Sequence, residues 1–405
     1  MNPIQGWLAD ARRNPDTRHV DTCDGVRALA ILIVAWYHIW QQSWLYPNLT
    51  IFGKNISFDP LVRSGYIWVD IMILISGFCL YLPWARLDEG AKGPSPLAFY
   101  EKRLARVHPS YLLTIAVMFG VALATQVYGE NRAFMLRDLL SHLTYTQMFA
   151  YDTYYATNLG GALWTLALEM QLYLLFPLLA RAFRRWPAAA FAAMVGFALA
   201  ARGYIAAAYT DVSLYFNQLP AYLDTFALGM AAAAIHVRLA DKRHGPMMRL
   251  ICSGVTIAAL WLLYLTVKGQ AGCPNTEAIR MGQMNRRLTM GLLGALLLAA
   301  SANAGWLVRH MLSNPVTRFV SGVSMQFYIW HQTIAVWLLR ARVIPSAYAN
   351  PNYEGDLIWQ KQYTFACFAV SLAAAAVLTY GFERPIARRL LQKRVKTRQN
   401  KRKKA

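Results

Sequence analysis

Arg27 and His38 stand eleven positions apart in the apolar run DGVRALAILIVAWYH. On one α-helix, eleven steps make about three turns plus roughly 20°, so both side chains project from nearly the same face, about 16 Å apart along the axis. A guanidinium suits phosphate, which it binds bidentately. An imidazole is the side chain whose ordinary pKa suits proton abstraction near neutral pH. If the run crosses a bilayer, the arginine marks one surface and the histidine lies near the middle, where an ionisable group is costly and therefore a functional candidate.

The chain that must position them has 405 residues, 57% hydrophobic and 15% charged, with 13 Trp and 22 Tyr. That balance predicts an all-α polytopic membrane protein. Ten stretches are long and apolar enough to predict transmembrane helices, near 26–45, 66–84, 108–128, 162–183, 188–209, 219–237, 247–267, 288–308, 319–339 and 363–383. With ten spans both termini share a side, and that side holds 28 of the 41 Lys and Arg against 12 for the other. The asymmetry predicts that both termini are cytoplasmic. Residues 1–23 are then a cytoplasmic segment, 24–385 the transmembrane domain and 386–405 a basic tail.

The net charge of +21 is concentrated in the tail KRVKTRQNKRKK and the cytoplasmic loops. It fits topology and anionic lipid headgroups rather than nucleic acid. The first 24 residues carry acids and no apolar core, unlike a cleaved signal peptide. Of five Cys only Cys273 falls in an outside loop, which argues against a disulfide framework. The polar stretches are too short to form a catalytic domain, so any chemistry belongs to the bundle.

Depth along the spans sorts the ionisable groups into two layers. His38 and His331 lie about 18 Å along spans one and nine, which run the same way. Asp70, Glu169 and Asp224 lie about 6, 10 and 8 Å down from the outer ends of spans two, four and six. The second layer is cationic and cytoplasmic: Arg27, then Lys102, Arg103 and Arg106 in FYEKRLARVHP. Arg103 and Arg106 are neighbours on a helix and suit phosphate, or serve only as a topology signal. The buried acids and histidines are acid/base groups or ties between helices. In the third loop, Leu136, Leu139, Leu140 and Leu143 predict an amphipathic helix on the outer interface, packed on the bundle rim or acting as a lid. His38 and His331 lack metal-ligand spacing, and no metal is expected.

At these residues the chain resembles the acyltransferase 3 family of integral-membrane acyltransferases, from Asp24 to Pro385. The family's R-x10-H pattern corresponds to Arg27 and His38, its VD-x5-SGF segment to VDIMILISGF with Asp70 and Ser76, and its R-x-x-R to Arg103 and Arg106. Its WSLSVEEQFYLLFP-like segment is similar to WTLALEMQLYLLFP, with Trp164, Glu169 and Tyr173. The late SYxxYLxH-like segment matches SMQFYIWH, ending at His331, and the terminal ERP matches Glu383 to Pro385. Met170 stands where a second Glu is common, so an acid pair is not the working unit there.

The resemblance implies transfer of an acyl group, most often acetyl, from cytoplasmic acyl-CoA to a hydroxyl of an envelope glycan or similar acceptor. The setting it implies is a multi-pass protein of the bacterial inner membrane. Arg27, Arg103 and Arg106 are then the counter-charges for the phosphates of coenzyme A, whose pantetheine arm of roughly 15–20 Å reaches toward His38. His38 is the expected base or transient acyl carrier, with Asp70 favoured over Glu169 as its orienting partner. Ser76, Tyr173 or His331 is the expected oxyanion donor and Trp164 lines the substrate site. A proton-coupled transporter is the alternative, because intramembrane acids and histidines also build proton relays.

Overall fold

The structure, a computed structural model, describes residues 19–240 and 245–392. The expectations for the N-terminal segment and the basic tail fall largely outside the described residues. Helices dominate: α1 Asp21–Ser43, α2 Asp59–Ser64, α3 Val69–Ala85, α4 Pro96–Ala124, α5 Arg132–Leu143, α6 Tyr151–Tyr155, α7 Trp164–Arg185, α8 Pro187–Ala208 and α9 Leu223–Ala240. They continue with α10 Pro246–Ala271, α11 Thr276–Ser301, α12 Trp306–Leu312, α13 Pro315–Arg340 and α14 Leu357–Leu378. A hairpin, β1 Asn48–Ile51 and β2 Lys54–Ser57, follows α1. Its turn residues Phe52 and Gly53 have φ of 49° and 74°, the positive values a two-residue hairpin turn needs.

Helices occupy all ten predicted places, but two of them are less apolar than expected. Among the described residues, eight helices are long and apolar enough to cross a membrane alone, and α11 qualifies only jointly with the segment Trp306–Arg340, bent from it by 119°. The number of spans by this measure is therefore eight, or up to nine. The reason is polarity: α11 carries Glu277, Arg280, Arg286 and Arg287, and the interior of α13 holds Gln326, His331 and Gln332.

Local sequence sets the helix boundaries. Asn314 accepts from the N–H groups of Val316 and Thr317, while Thr317 Oγ1 accepts from Asn314 N–H, a capping box ahead of Pro315 at the first turn of α13. Asn275 and Asp356 cap α11 and α14 by accepting from Ala278 and Trp359 N–H. After α14 the backbone widens into a π-turn at Thr379–Glu383 and continues helically to Gln392. Such turns recur at functional sites, and this one places Glu383.

Two stretches form the centre. The apolar stretches of α1 and of Asp59–Ala85 are 67% and 78% buried, against 28% for α8, α10 and the last helix, which form the rim. Leu250 and Phe365 on the rim point outward, as lipid-facing residues do. α3 and α9 approach closely at two glycines. A Cβ on Gly229 would stand 2.1 Å from the Leu74 carbonyl oxygen, and one on Gly77 would stand 2.4 Å from that of Phe226. α1 and α13 run parallel, because Ser321 meets Asp24 near one end and His331 meets His38 further along both.

The amphipathic helix α5 turns its leucines outward: Leu136, Leu140 and Leu143 are exposed, whereas Asp138 and His142 are fully buried. Asp138 accepts from Tyr128 OH at 2.8 Å and Asn158 N–H at 3.1 Å, and His142 Nδ1 lies 3.2 Å away. Burial works to raise the Asp138 pKa, but these bonds hold it below the ordinary value. A carboxyl depressed in the folded state stabilises above its unfolded value of about 4 and loses that contribution as pH falls through the folded one. The stability gap between the wild type and Asp138→Asn should therefore be widest near neutral pH and narrow below about pH 4. Thermal unfolding at a series of pH values measures it, and a gap that widens on acidification would contradict the assignment.

Candidate active site

The Arg27 end of the bundle opens into a cavity of about 740 Å³. Its wall carries Arg27 from α1, Lys102, Arg103 and Arg106 from α4, Arg318 from α13, and Arg384 and Arg388 beyond the π-turn. Two carboxylates moderate this charge. Asp24 accepts from Ser321 Oγ at 2.7 Å and pairs with His19 at 2.6 Å, and Glu383 accepts from Gln326 at 3.1 Å and lies 4.0 Å from Arg106. Arg103 lies over the rings of Tyr173 and Phe99, 5.6 and 5.8 Å from their centroids. The guanidinium groups outnumber the carboxylates on this wall. His19, Asp21 and Asp24 form a group of potential metal ligands, their donor atoms all within 4.8 Å of one another.

A second cavity of about 320 Å³ shares Arg27, Arg103 and Arg106 with the first and extends it inward. Here α3 contributes Ser76 and Cys79, α7 contributes Thr165, Glu169 and Tyr173, and α13 contributes Tyr328. Ser76 Oγ donates to Glu169 Oε1 at 2.7 Å and Tyr173 OH to Oε2 at 3.0 Å. Arg27 Nη2 reaches Cys79 Sγ at 3.2 Å.

Beyond Tyr328 lies the imidazole layer. The Tyr328 and His331 rings are 5.7 Å apart, and those of His331 and His38 are 5.2 Å apart. His331 is fully buried; its Nδ1 donates to the Phe327 carbonyl at 3.0 Å and its Nε2 has no partner among the described residues. His38 is half-buried and its Nδ1 donates to Gln41 Oε1 at 3.1 Å. The structure thus brings both expected histidines into one layer and collects Arg27, Arg103, Arg106, Ser76, Glu169 and Tyr173 around connected cavities.

Six of the expected side chains make other contacts in the structure than those expected. Asp70 does not orient His38: Gln41 holds that ring nitrogen, and Asp70 accepts from Arg287 Nε at 3.3 Å, both groups being fully buried. Ser76 and Tyr173, expected to face an oxyanion, spend their protons on Glu169. His331 with its proton on Nδ1 is an acceptor at Nε2, so the neutral ring is no oxyanion donor. Trp164 packs beside Tyr154 and Tyr222, ring centroids 6.2 and 6.4 Å away, rather than on either cavity. Asp224, counted with the acid layer, is tied to Arg202 at 2.6 Å.

Arg287 and Arg202 are what the sequence patterns missed. Arg287 sits one residue outside the predicted eighth span, and Arg202 lies within the fifth, where a lone cation is itself a signal. Gln41 was also findable, three residues after His38 and hence its neighbour on the helix.

The family profile described as "Acyltransferase domain" matches residues 21–382. The chain belongs to the acyltransferase 3 family. Among its relatives, nodulation protein 10 of Rhizobium leguminosarum bv. viciae is 29% identical over 213 residues, covering 49% of this chain and 54% of that protein. The O-acetyltransferase OatA of Staphylococcus aureus is 28% identical over 175 residues, covering 40% of this chain and 24% of OatA. The chain therefore spans about half or less of the relatives it matches. No solved structure matches it. As a member of this family with many long apolar helices, it is a multi-pass membrane protein with an acyltransferase domain.

Proposed function

We propose that the chain moves an acyl group, acetyl first among candidates, from acyl-CoA in the basic cavity to a hydroxyl of an envelope glycan or similar acceptor at the His38 layer. The supporting observation is continuity: a guanidinium-lined cavity leads to an inner cavity whose wall residue Tyr328 touches His331, and His331 touches His38. The acetyl preference rests on the similarity to the O-acetyltransferase OatA. In this proposal both termini and the basic cavity face the cytoplasm of a bacterial inner membrane, and the basic tail rests on anionic headgroups.

Arg27, Arg103 and Arg106 hold the 3′-phosphate and diphosphate by charge-assisted hydrogen bonds. The pantetheine arm, roughly 15–20 Å when extended, spans the about 16 Å between Arg27 and His38. The acceptor oxygen attacks the thioester carbonyl carbon, the C–S bond breaks and coenzyme A leaves as its thiolate. His38 takes the hydroxyl proton and returns one to the thiolate. Glu169 anchors the inner wall through Ser76 and Tyr173, and His331 provides a second acceptor beside His38.

The donor side is tested by removing a cation. Arg103→Ala or Arg106→Ala should raise the KM for acetyl-CoA about tenfold or more, the worth of a charge-assisted hydrogen bond. Purified protein in vesicles is assayed for acyl-CoA consumption and, by mass spectrometry, for acceptors heavier by one acyl unit. An unchanged KM in both variants would remove the phosphate role. Substrate movement without acyl-CoA consumption would favour the transporter alternative.

A further inference from the structure

We propose that Gln41 is the positioning residue for His38, fixing the imidazole with its proton on Nδ1 and its lone pair on Nε2. The inference rests on His38 being the base in the proposed transfer. Gln41 lies one helical turn after His38, and its two amide ends are both engaged. Its Nε2 donates to Tyr37 OH at 3.0 Å, and its Oε1 faces His38 Nδ1 at 3.1 Å. An amide oxygen only accepts, so the proton of a neutral His38 ring sits on Nδ1 and Nε2 is the basic atom.

His331 carries the same arrangement by a different route. Its Nδ1 donates to the Phe327 carbonyl, again leaving Nε2 unprotonated, and that buried atom has no partner among the described residues. Two imidazoles in contact thus each keep Nε2 as their acceptor. The groups packed on His38 are Tyr37 and Gln41 from its own helix and His331 from α13, with Tyr66 behind Tyr37, ring centroids 4.9 Å apart. None is a carboxylate.

A neutral orienter has a distinct kinetic consequence. A carboxylate partner fixes the tautomer and also stabilises the imidazolium, making the base stronger and slower to give its proton back. An amide fixes the tautomer alone and places no second charge in an apolar layer.

Two variants of the full chain in nanodiscs test this. Gln41→Leu cannot accept from Nδ1 and should lower kcat about 10- to 100-fold with the KM for acetyl-CoA within about twofold, the cost of losing orientation without losing binding. Gln41→Glu offers only acceptors. It should recover kcat to within about tenfold of the wild type and move the acidic limb of the pH profile upward by about one pH unit, because a carboxylate favours the imidazolium. Wild-type kcat in Gln41→Leu, or a Gln41→Glu variant as impaired as Gln41→Leu with its limb unmoved, would overturn the proposal. ¹⁵N spectra of the histidine side chains, with His38 assigned by its loss in His38→Ala, give the tautomer independently of activity. A proton on Nδ1 supports the assignment and one on Nε2 overturns it. A wild type with the Nδ1 proton but no transfer activity would instead count against the acyl-transfer reading of the site.

Discussion

Replacing His38 by alanine is expected to lower acyl transfer by about 10²- to 10⁴-fold, the usual contribution of a positioned general base, while leaving insertion and thermal stability close to those of the wild type. The expectation of a stable variant comes from the side chain's surroundings. His38 is half-buried and its hydrogen bond runs to Gln41, an exposed side chain on the same helix. Alanine suits a helix interior, and the backbone bonds of α1 are untouched. His331→Ala is a less selective test, because that ring is fully buried against Phe327 and Tyr328 and its loss opens a cavity. The measurement is transfer of labelled acetyl to acceptor in vesicles, normalised to folded protein. Added imidazole should restore part of the rate to His38→Ala, since the vacated space borders the layer where the base acts. Wild-type transfer in this variant would remove His38 from the mechanism and leave His331 Nε2 as the base.

Much of the architecture was legible because the bilayer constrains it. Apolar runs of about 20 residues have one stable solution in lipid, and they marked the long helices correctly in place. The count failed where polar residues dilute the runs, arginines in α11 and Gln326, His331 and Gln332 in α13. The hairpin between α1 and α2 went unseen because each strand has four residues and its turn is Phe52-Gly53 rather than a common turn pair. Helical arithmetic placed His38 and His331 in one layer, and the rings do meet. Pairings were harder. Depth sorts groups along the membrane normal but is silent on azimuth, so Asp70, at nearly the right depth to serve His38, faces α11 instead. The leucine stripe of α5 was visible as a period, yet what anchors that helix is the polar face opposite, where Asp138 and His142 are buried.

That misassigned pairing yields the largest effect on stability. Arg287 is fully buried, bonds Asp70, donates to the carbonyls of Phe216 and Ala221 and to Asn217 Oδ1, and lies 3.7 Å from the Tyr222 ring centroid. The Ala221 carbonyl also accepts from Arg202, which holds Asp224, so one network joins α3, α8, α9 and α11. Arg287→Met strands a buried carboxylate and takes the side-chain donor from the Phe216 carbonyl, and should cost about 3–5 kcal/mol. Asp70→Asn removes charge but keeps an oxygen for Arg287, and should cost less, about 1–3 kcal/mol. The order of the two separates a tie from a catalyst. A tie predicts that Arg287→Met melts lower than Asp70→Asn and that each molecule still folded transfers acyl groups within a few-fold of the wild type. A catalytic or His38-orienting Asp70 predicts the reverse: Asp70→Asn stable but slower by orders of magnitude. Unfolding followed in detergent, with transfer measured per folded molecule, decides between them. The double variant Asp70→Asn, Arg287→Met should be less destabilised than the two single costs added together, because the singles share the loss of one interaction. Strict additivity would mean that the two side chains act independently and that Asp70 owes its burial to something other than Arg287.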